Sequence, residues 1–176
     1  MTHFAVTAIG DDRPGIVAAL AGALFELGCN LEDVSSTILR GSFAIMLVVE
    51  APEGVDGIDL EHRLDTELNA MGMSVKVRGA RSERAPSAPT THTLVAYGSD
   101  RPGLVARMAA ALAQRDVNIT DLSCRLVGDE EPVYAMVAEL AVPRDTDDDD
   151  LSRAISDLAA EMGVDVTMRA VEAETL

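Results

Sequence analysis

Apolar residues along the chain alternate between short continuous runs and stripes with helical spacing, and this succession occurs twice. The runs at 4–9 and 93–97 are typical of strands that are buried on at least one face. The stripes that follow have spacings of three and four, which places their members on one helix face. Their members are Ile16, Leu20, Ala23, Leu24 and Leu27 in the first copy, and Leu104, Met108, Ala111 and Leu112 in the second.

Each copy continues with two strand-like segments, a second helical stripe and a closing strand. The strands are predicted at 31–39, 42–50 and 74–78, and again at 119–127, 133–142 and 164–169. The stripes consist of Leu60, Leu64, Leu68 and Met71, and of Leu151, Ile155, Leu158 and Met162. The order β-α-β-β-α-β predicts an α+β protein with two ferredoxin-like units in tandem, whose antiparallel sheets carry both helices on one face.

Local residues predict how these elements are joined. Arg40-Gly41 is typical of a hairpin turn, and Gly28 predicts the C-cap of the first helix. Asp116 stands at the corresponding place in the second copy, which predicts a different cap there. The turns before the first helices contain Asp or Ser as candidate N-caps and Pro as a candidate for the first helical turn.

The two copies are related by an internal repeat. The segment 12–18 returns at 100–106, 88 positions later, and Asn30 returns as Asn118 at the same offset. Met46 matches Met136 at an offset of 90, and the pair at 71–72 matches the pair at 162–163 at 91. The growing offset predicts small insertions in the second copy near 128–132 and near 145–150.

The repeat defines the predicted domain organisation. The first domain is predicted at 1–79 and the second at 92–176, with a linker at 80–91. The linker is rich in Pro, Ser and Ala and lacks apolar periodicity, which predicts an exposed and fairly extended segment.

Composition and charge exclude several classes of function. The net charge is −16 and aromatic residues make up 3%, which disfavours both phosphate binding and base stacking. Direct nucleic-acid binding and binding to anionic membranes are therefore not expected. The N-terminus resembles no signal peptide and no apolar stretch reaches the ~20 residues of a membrane span, so we expect a cytoplasmic protein. Cys29 and Cys124 are expected to be buried structural residues rather than disulfide or zinc partners.

Candidate chemistry is concentrated in the turn after the first strand of each copy. A heavy-metal module would need two cysteines there, and an RNA-recognition module would need exposed aromatic residues on the central strands. An acylphosphatase is disfavoured because Asp11 and Asp12 would repel a phosphate. The histidines share no metal-ligand spacing, and the acidic run 147–150 is expected to be a solvated helix N-terminus. We predict no catalytic residue, no cofactor and no metal.

The turn and the start of the next strand resemble a known family. Asp12-Arg13-Pro14-Gly15-Ile16-Val17, followed by Gly28-Cys29-Asn30-Leu31, is similar to the ACT domain, a small amino-acid-sensing module. The second copy, with 100–105 and Val117-Asn118-Ile119, resembles it equally well. Two such modules and nothing else resemble the glycine cleavage system transcriptional repressor family. Formyltetrahydrofolate deformylases carry one similar turn before a catalytic domain that this chain lacks.

The resemblance implies a ligand site at an interface between two ACT modules. Asp12 or Asp100 would bind an ammonium group, and N–H groups at the helix start would bind a carboxylate. An Asn at the start of the second strand would bridge either group. The candidate residues are Asp11, Asp12, Arg13, Pro14, Gly15, Asn30, Ser99, Asp100, Arg101, Pro102, Gly103 and Asn118.

Structural roles remain open for the same side chains. Asp12 and Asp100 could only cap their helices, the asparagines could only shape a turn, and the arginines could pair with local acids. The expected function is a non-catalytic regulator that binds a small amino acid, with glycine or serine as candidates. It would signal through a protein partner such as a transcription regulator and form a homodimer. The alternative is a ligand-free interaction module, and an enzyme is the third class.

Overall fold

The computed structural model of the chain describes residues 1–81, 89–99, 102–128 and 133–171. The chain divides into two compact units, Met1–Ala85 and Pro86–Leu176. The predicted domain limits at 1–79, 80–91 and 92–176 remain a prediction, because most of the predicted linker, 82–88, lies outside the described residues.

The first unit is a four-stranded antiparallel sheet with two helices. Its strands are in the order β2-β3-β1-β4, which makes β2 an edge strand. The elements are β1 (Thr2–Asp11), α1 (Ile16–Glu26), β2 (Asn30–Leu39), β3 (Ser42–Ala51), α2 (Gly57–Asn69) and β4 (Ser74–Gly79).

The second unit repeats this architecture, with sheet order β6-β7-β5-β8. The predicted α+β fold class with two βαββαβ units is therefore confirmed. The elements are β5 (His92–Gly98), α3 (Leu104–Ala113), β6 (Asn118–Val127), β7 (Val133–Ala141), α4 (Asp148–Met162) and β8 (Val164–Ala170). None of the described helices is long and apolar enough to cross a membrane.

Each unit has its own core between the helices and one sheet face. The predicted stripes supply it, because α1 buries Ile16, Leu20 and Leu24 against alternate residues of β1 and β3. The second core is built in the same way by α3, α4 and their sheet. Leu158 of the predicted stripe packs against this core while partly buried, and α4 buries Ala159 beside it.

The first helices of the two units end in the same way. Gly28 has φ 71°, and Cys29 donates its N–H to the Leu24 carbonyl at 2.9 Å. Asp116 has φ 56°, and Val117 donates to the Leu112 carbonyl at 3.1 Å. These are the bonds of a Schellman motif. The prediction of a different second cap is wrong, because Asp tolerates the left-handed region better than most side chains do.

The strand register corrects the predicted offset of the repeat. Thr7 pairs with Met46, and Val95, 88 positions after Thr7, pairs with Val137. Met46 therefore corresponds to Val137 at an offset of 91, and its predicted match to Met136 is wrong. Met46 is 51% exposed whereas Met136 is 2% exposed, because a slip of one residue moves a side chain to the other sheet face.

The whole growth in offset belongs to one hairpin. Two residues join β2 to β3, whereas five residues join β6 to β7. The helices α2 and α4 begin at Gly57 and Asp148, which are already 91 positions apart. The predicted insertion near 128–132 is therefore confirmed, and the one near 145–150 is wrong.

Candidate functional site

The candidate turn of the first unit lies at the end of β1 that is next to the β2–β3 hairpin. Residues 11–15 are exposed, and the Asp12 N–H donates to the Gly41 carbonyl at 2.8 Å. Gly41 and Arg40 both have positive φ, as the predicted two-residue hairpin requires. β1 extends through Asp11, so this residue belongs to the strand rather than to the turn where the sequence placed it.

The N-terminus of α1 has no side-chain cap. The cap position is Gly15, with φ 97°, and its carbonyl accepts the first helical N–H, from Ala19, at 2.9 Å. Pro14 precedes this cap and lies outside the helix. The reading of Asp12 as a capping residue is wrong, because its carboxylate forms no hydrogen bond within the described residues. The N–H groups of the first turn are thus left for solvent or a ligand.

Arg13 lies against the turn that joins α2 to β4. A methyl group built on Gly72 would be 3.6 Å from an Nη atom of Arg13. The expected pairing of Arg13 with a local acid is not seen, since it forms no ion pair in the part of the chain that the structure describes. A free guanidinium, a free carboxylate and an uncapped helix start therefore share one exposed turn.

The second unit repeats the helix start but not all of the charge. Gly103 is the cap of α3 with φ 94°, and its carbonyl accepts the N–H of Arg107 at 2.9 Å. Pro102 precedes it and Ser99 follows β5, both of them exposed. Asp100 and Arg101 lie outside the described residues. Ser99 stands where the first unit has Asp11, so this turn carries one carboxylate fewer.

The two candidate asparagines lie at the opposite end of their sheets from these turns. Asn30 begins β2 and pairs with Glu50, which in turn pairs with His3 near the start of β1. Nine residues of extended chain separate His3 from Asp12, a distance of about 30 Å. Asn118 begins β6 in the same way. The structure thus does not bring Asp12 and Asn30 of one unit together.

A repeated bulge follows each asparagine. The β2–β3 register shifts between Leu31 and Asp33, and the β6–β7 register shifts between Ile119 and Asp121. The extra residue of such a bulge bends the strand and increases its twist. The bulge therefore gives β2 and β6 the same shape next to Asn30 and Asn118. No residue in the sequence predicts the bulge.

Two glycines that the sequence reasoning did not single out hold the turns in place. A methyl group at Gly10 would be 2.6 Å from the Gly72 carbonyl oxygen, and one at Gly98 would be 2.8 Å from a methyl of Val164. Both contacts are closer than real side chains tolerate. The end of each first strand thus touches the start of the last strand. The sequence feature that could have predicted this contact is the glycine at the same position of the repeat in both copies, Gly10 and Gly98.

The titratable groups of the described residues give no sign of an activated nucleophile. Burial raises the pKa of the Cys29 thiol, which keeps it protonated and inert. Cys29 is buried as predicted, whereas Cys124 is only partly buried. No group of three or more potential metal ligands is found in the described ranges. Asp147 caps α4 by accepting from the Asp149 and Asp150 N–H groups, so the acidic run is a helix N-terminus.

Both halves of the chain match one domain family. The sequence profile of the ACT domain matches residues 2–78 and residues 92–161. Together the two matches cover most of the chain.

Relatives of the chain include small proteins and part of an enzyme. A UPF0237 protein of Methanosarcina acetivorans is 37% identical over 78 residues, which cover 44% of this chain and 85% of the relative. Phosphoserine phosphatase SerB2 of Mycobacterium tuberculosis is 30% identical over 169 residues. That match covers 93% of this chain but only 39% of the phosphatase.

Two of the similar solved structures superpose over nearly the whole length of the chain. An unknown protein from Galdieria sulphuraria superposes with a TM-score of 0.80 and 27% identity, covering 97% of this chain and 98% of its own. A candidate glycine cleavage system transcriptional repressor superposes with a TM-score of 0.65 and 18% identity, with 97% of each chain covered. At that identity the second likeness concerns the fold alone.

Proposed function

The chain belongs to the ACT-domain family, and we propose that it is a non-catalytic regulator that binds a small amino acid at its β1–α1 and β5–α3 turns. The carrying observation is the exposed turn 12–15, where Asp12 and Arg13 have no side-chain partner in the described residues and Gly15 leaves the helix uncapped. A zwitterionic amino acid needs this combination of groups.

Each group in the turn has a defined role in the proposal. The Asp12 carboxylate accepts hydrogen bonds from the ligand ammonium. The free N–H groups at the start of α1, aided by the helix dipole, bind the ligand carboxylate, and the Arg13 guanidinium neutralises it. Gly15 keeps the backbone accessible, and the Met71 methyl lies 3.8 Å from where its Cβ would be. Glycine and serine are the candidate ligands.

The distance between Asp12 and Asn30 requires a second module to complete the site. β2 is an edge strand whose outer backbone groups have no strand partner in the sheet. If it pairs antiparallel with β2 of a second copy of the chain, Asn30 of one copy lies beside Leu39 of the other. Leu39 is at the end of the sheet where the Asp12 turn contacts the hairpin. The proposal therefore includes a homodimer.

Signalling is assigned to a protein partner. The net charge of −16 disfavours direct contact with DNA, so a transcription regulator or a metabolic enzyme would receive the signal in the cytoplasm. The proposal assigns no catalytic residue. The chain corresponds to only part of the related phosphatase, so that enzyme's activity is not carried over to this chain.

A second candidate function is a ligand-free interaction module. It is favoured by the apolar outer face of α1, where Val17 is 52% and Phe25 is 80% exposed. Val34 and Ile38 of the neighbouring edge strand are more than half exposed as well. Such a surface is typical of a protein interface.

Thermal unfolding of the full chain against the twenty amino acids tests the proposal. A ligand at ~100 times its dissociation constant is expected to raise the unfolding midpoint by about 5–10 °C. The double variant Asp12→Asn, Asp100→Asn should lose this shift. The control Asp157→Asn makes the same chemical change on the exposed surface of α4 and should retain it.

If no amino acid shifts the midpoint, the second candidate is favoured. If the double variant responds like the wild type, an amino acid binds elsewhere and the turns are not the binding site. A sedimentation measurement then decides whether the α1 face associates, because Phe25→Ser should make a dimer dissociate.

A further inference from the structure

The sheet face that points away from the helices in the first unit contains a hollow of about 430 Å³. Its floor is formed by Ile9, Ala44 and Met46 on the two central strands, and its sides by residues of β2 and β4. The hollow lies over the small Ala44, which is flanked by the larger Ile9 of β1 in the paired register. This volume lies within the usual range of small-ligand pockets, roughly 300–1,000 Å³.

The floor of the hollow is unusually apolar for an exposed sheet face. Antiparallel sheets that are covered on one side normally carry polar residues on the other. Here Ile9 is 57% and Met46 is 51% exposed, and they belong to neighbouring strands. The hollow therefore presents an apolar surface to any molecule that enters it.

The charge of the hollow is opposite to the charge of the chain. The protein has a net charge of −16, yet no residue that lines the hollow is acidic, and Lys76 of β4 contributes an ammonium group. The hydroxyl groups of Ser35, Thr37 and Ser74 have no hydrogen-bond partner within the residues described. An anionic group therefore meets no carboxylate in the lining of the hollow.

Lys76 can exchange its exposed ion pair with Glu61 for an incoming anion, and Glu61 keeps a hydrogen bond when it does. Its Nζ donates to Glu61 at 2.6 Å, and its side chain is 76% exposed, so the ammonium can turn towards the hollow. Glu61 also accepts the Val77 N–H at 2.8 Å and keeps this bond when Lys76 moves.

We propose that this hollow binds a small amphipathic carboxylate, a molecule with an apolar body and a single anionic head. The body lies on Ala44, Ile9 and Met46. The carboxylate points towards β4, where it accepts hydrogen bonds from Lys76 and Ser74. This site is separate from the amino-acid turn and goes beyond the proposed function.

The second unit provides a matched comparison. The positions of Thr37, Ser74 and Lys76 are occupied there by Arg125, Asp165 and Thr167. An acid thus stands where the first unit has Ser74, and the cation of this face, Arg125, lies on the edge strand opposite to the one that carries Lys76 in the first unit. We expect no carboxylate site on the open face of the second unit.

Octanoate is the probe for the first experiment, added to the full chain with methyl-labelled methionine. The Met46 methyl resonance, assigned with Met46→Leu, should shift saturably, whereas that of the buried Met136 should stay in place. Ala44→Leu fills the hollow and should abolish the shift. Ala135→Leu makes the same change at the corresponding position of the second unit and should leave it unchanged.

The ionic contact is tested separately. Lys76→Gln should weaken octanoate binding about fivefold, in line with the modest contribution of an exposed ion pair. In the wild type octanol should bind more weakly than octanoate, and in Lys76→Gln the two should bind equally. Equal binding of both probes to the wild type would overturn the assignment of a carboxylate ligand.

Other results would overturn the site itself. If Ala44→Leu and Ala135→Leu affect octanoate equally, the hollow is not the binding site. If Met46 shifts with protein concentration in the absence of octanoate and sedimentation shows association, a second copy covers the face instead. Should Ala44→Leu fail to fold, Ser74→Asp, which introduces the acid of the second unit, replaces it and should weaken octanoate binding at least fivefold.

Discussion

The two units share their backbone features and differ in their side chains. Both have a glycine before the first helix, a left-handed residue after it, and an aspartate that caps the second helix through two backbone N–H groups. Each of these features satisfies a need of the fold. The turns, open faces and strand starts, by contrast, carry different charges in the two units. These shared backbone features therefore indicate structural requirements, and the residues that differ are candidates for functions that only one unit has.

The starts of the first strands show this difference clearly. In the first unit His3 Nε2 lies 3.4 Å from a Glu32 carboxylate oxygen, and its buried Nδ1 has no hydrogen-bond partner. In the second unit Thr91 Oγ1 contacts the Leu140 carbonyl, the Val142 N–H and the His92 ring at 2.9–3.2 Å. The start of the first strand is therefore more completely hydrogen-bonded in the second unit than in the first, although the backbone follows the same path in both.

The largest expected effect comes from the glycines that are shared by both units. Gly10→Ala should destabilise the first unit by about 3 kcal/mol, and Gly98→Ala the second by about 2 kcal/mol, since a methyl group overlaps the facing strand. The difference follows from the contacts, because the methyl at Gly10 meets a backbone oxygen and the methyl at Gly98 first meets a side chain.

Denaturant unfolding can assign these effects to the units. Both tyrosines, Tyr97 and Tyr134, belong to the second unit, so tyrosine fluorescence follows only that unit, whereas circular dichroism follows both. Gly22→Ala is the control, because its methyl group meets nothing within 4 Å and should stabilise α1 slightly. A wild-type midpoint for Gly10→Ala would contradict the close contact.

Much of the fold could be predicted from the sequence because the helical stripes and turn residues are locally encoded. The register of β3 and β7 could not, since both runs are mostly apolar and their single charged residues, Glu50 and Glu139, do not stand at matching positions of the repeat. The match of Met46 to Met136 failed for this reason. The cap at Asp116 was missed because glycine is the usual residue after a helix C-terminus. The repeat, in which Asp116 corresponds to Gly28, indicated the same left-handed conformation at both positions.

The candidate site was predicted in its parts but not in its geometry. A pattern shows that Asp12 and Asn30 occur in each copy, but not that a sheet separates them. The length of α1 does indicate that Asp12 and Asn30 are far apart. The 11 residues of α1 return the chain by about 16 Å along the sheet, which places the start of β2 away from the end of β1.

Removing the caps of the second helices should have a smaller effect on stability, and one that differs between the two units. Asp56→Ala is expected to cost about 1.5 kcal/mol, because two N–H groups at 2.8 Å lose their acceptor. Asp147→Ala should cost about 0.5 kcal/mol, since removing it also relieves repulsion from Asp148 and its acidic neighbours.

Salt is the control for this comparison. Unfolding in 1 M salt screens the repulsion, so the costs of Asp56→Ala and Asp147→Ala should become more similar. If the two costs still differ at high salt, the cause is hydrogen-bond length rather than repulsion. The bonds to Asp147 are 3.0 and 3.1 Å, longer than the 2.8 Å bonds to Asp56.

The left-handed residue after the first helix allows a reciprocal exchange. Asp116→Gly should stabilise the second unit by about 1 kcal/mol, and Gly28→Asp should destabilise the first by about the same amount, because a side chain strains positive φ. Tyrosine fluorescence should detect the first change and not the second. If Asp116→Gly does not stabilise the second unit, the Asp116 side chain compensates for the strain of its own positive φ.

The smallest effect concerns an ion pair that only the first unit contains. The hydrogen bond from Lys76, and then the Val77 N–H, hold the pKa of Glu61 below its ordinary value of 4.5, while Glu61 raises the pKa of Lys76 above 10.5. Ser152 and Thr167 occupy the matching positions of the second unit. The stabilisation from Glu61 is present above its unfolded pKa and is lost as pH falls through its lower folded pKa.

The Lys76 contribution has the opposite dependence on pH, being present below the unfolded pKa and lost as pH rises through the raised one. In an NMR titration the Glu61 carboxyl of Lys76→Gln should therefore titrate at a higher pH than in the wild type, yet still below 4.5. The reason is that the Val77 N–H continues to donate at 2.8 Å. An unchanged midpoint would show that Lys76 does not hold Glu61 in solution and is already free to turn towards the hollow.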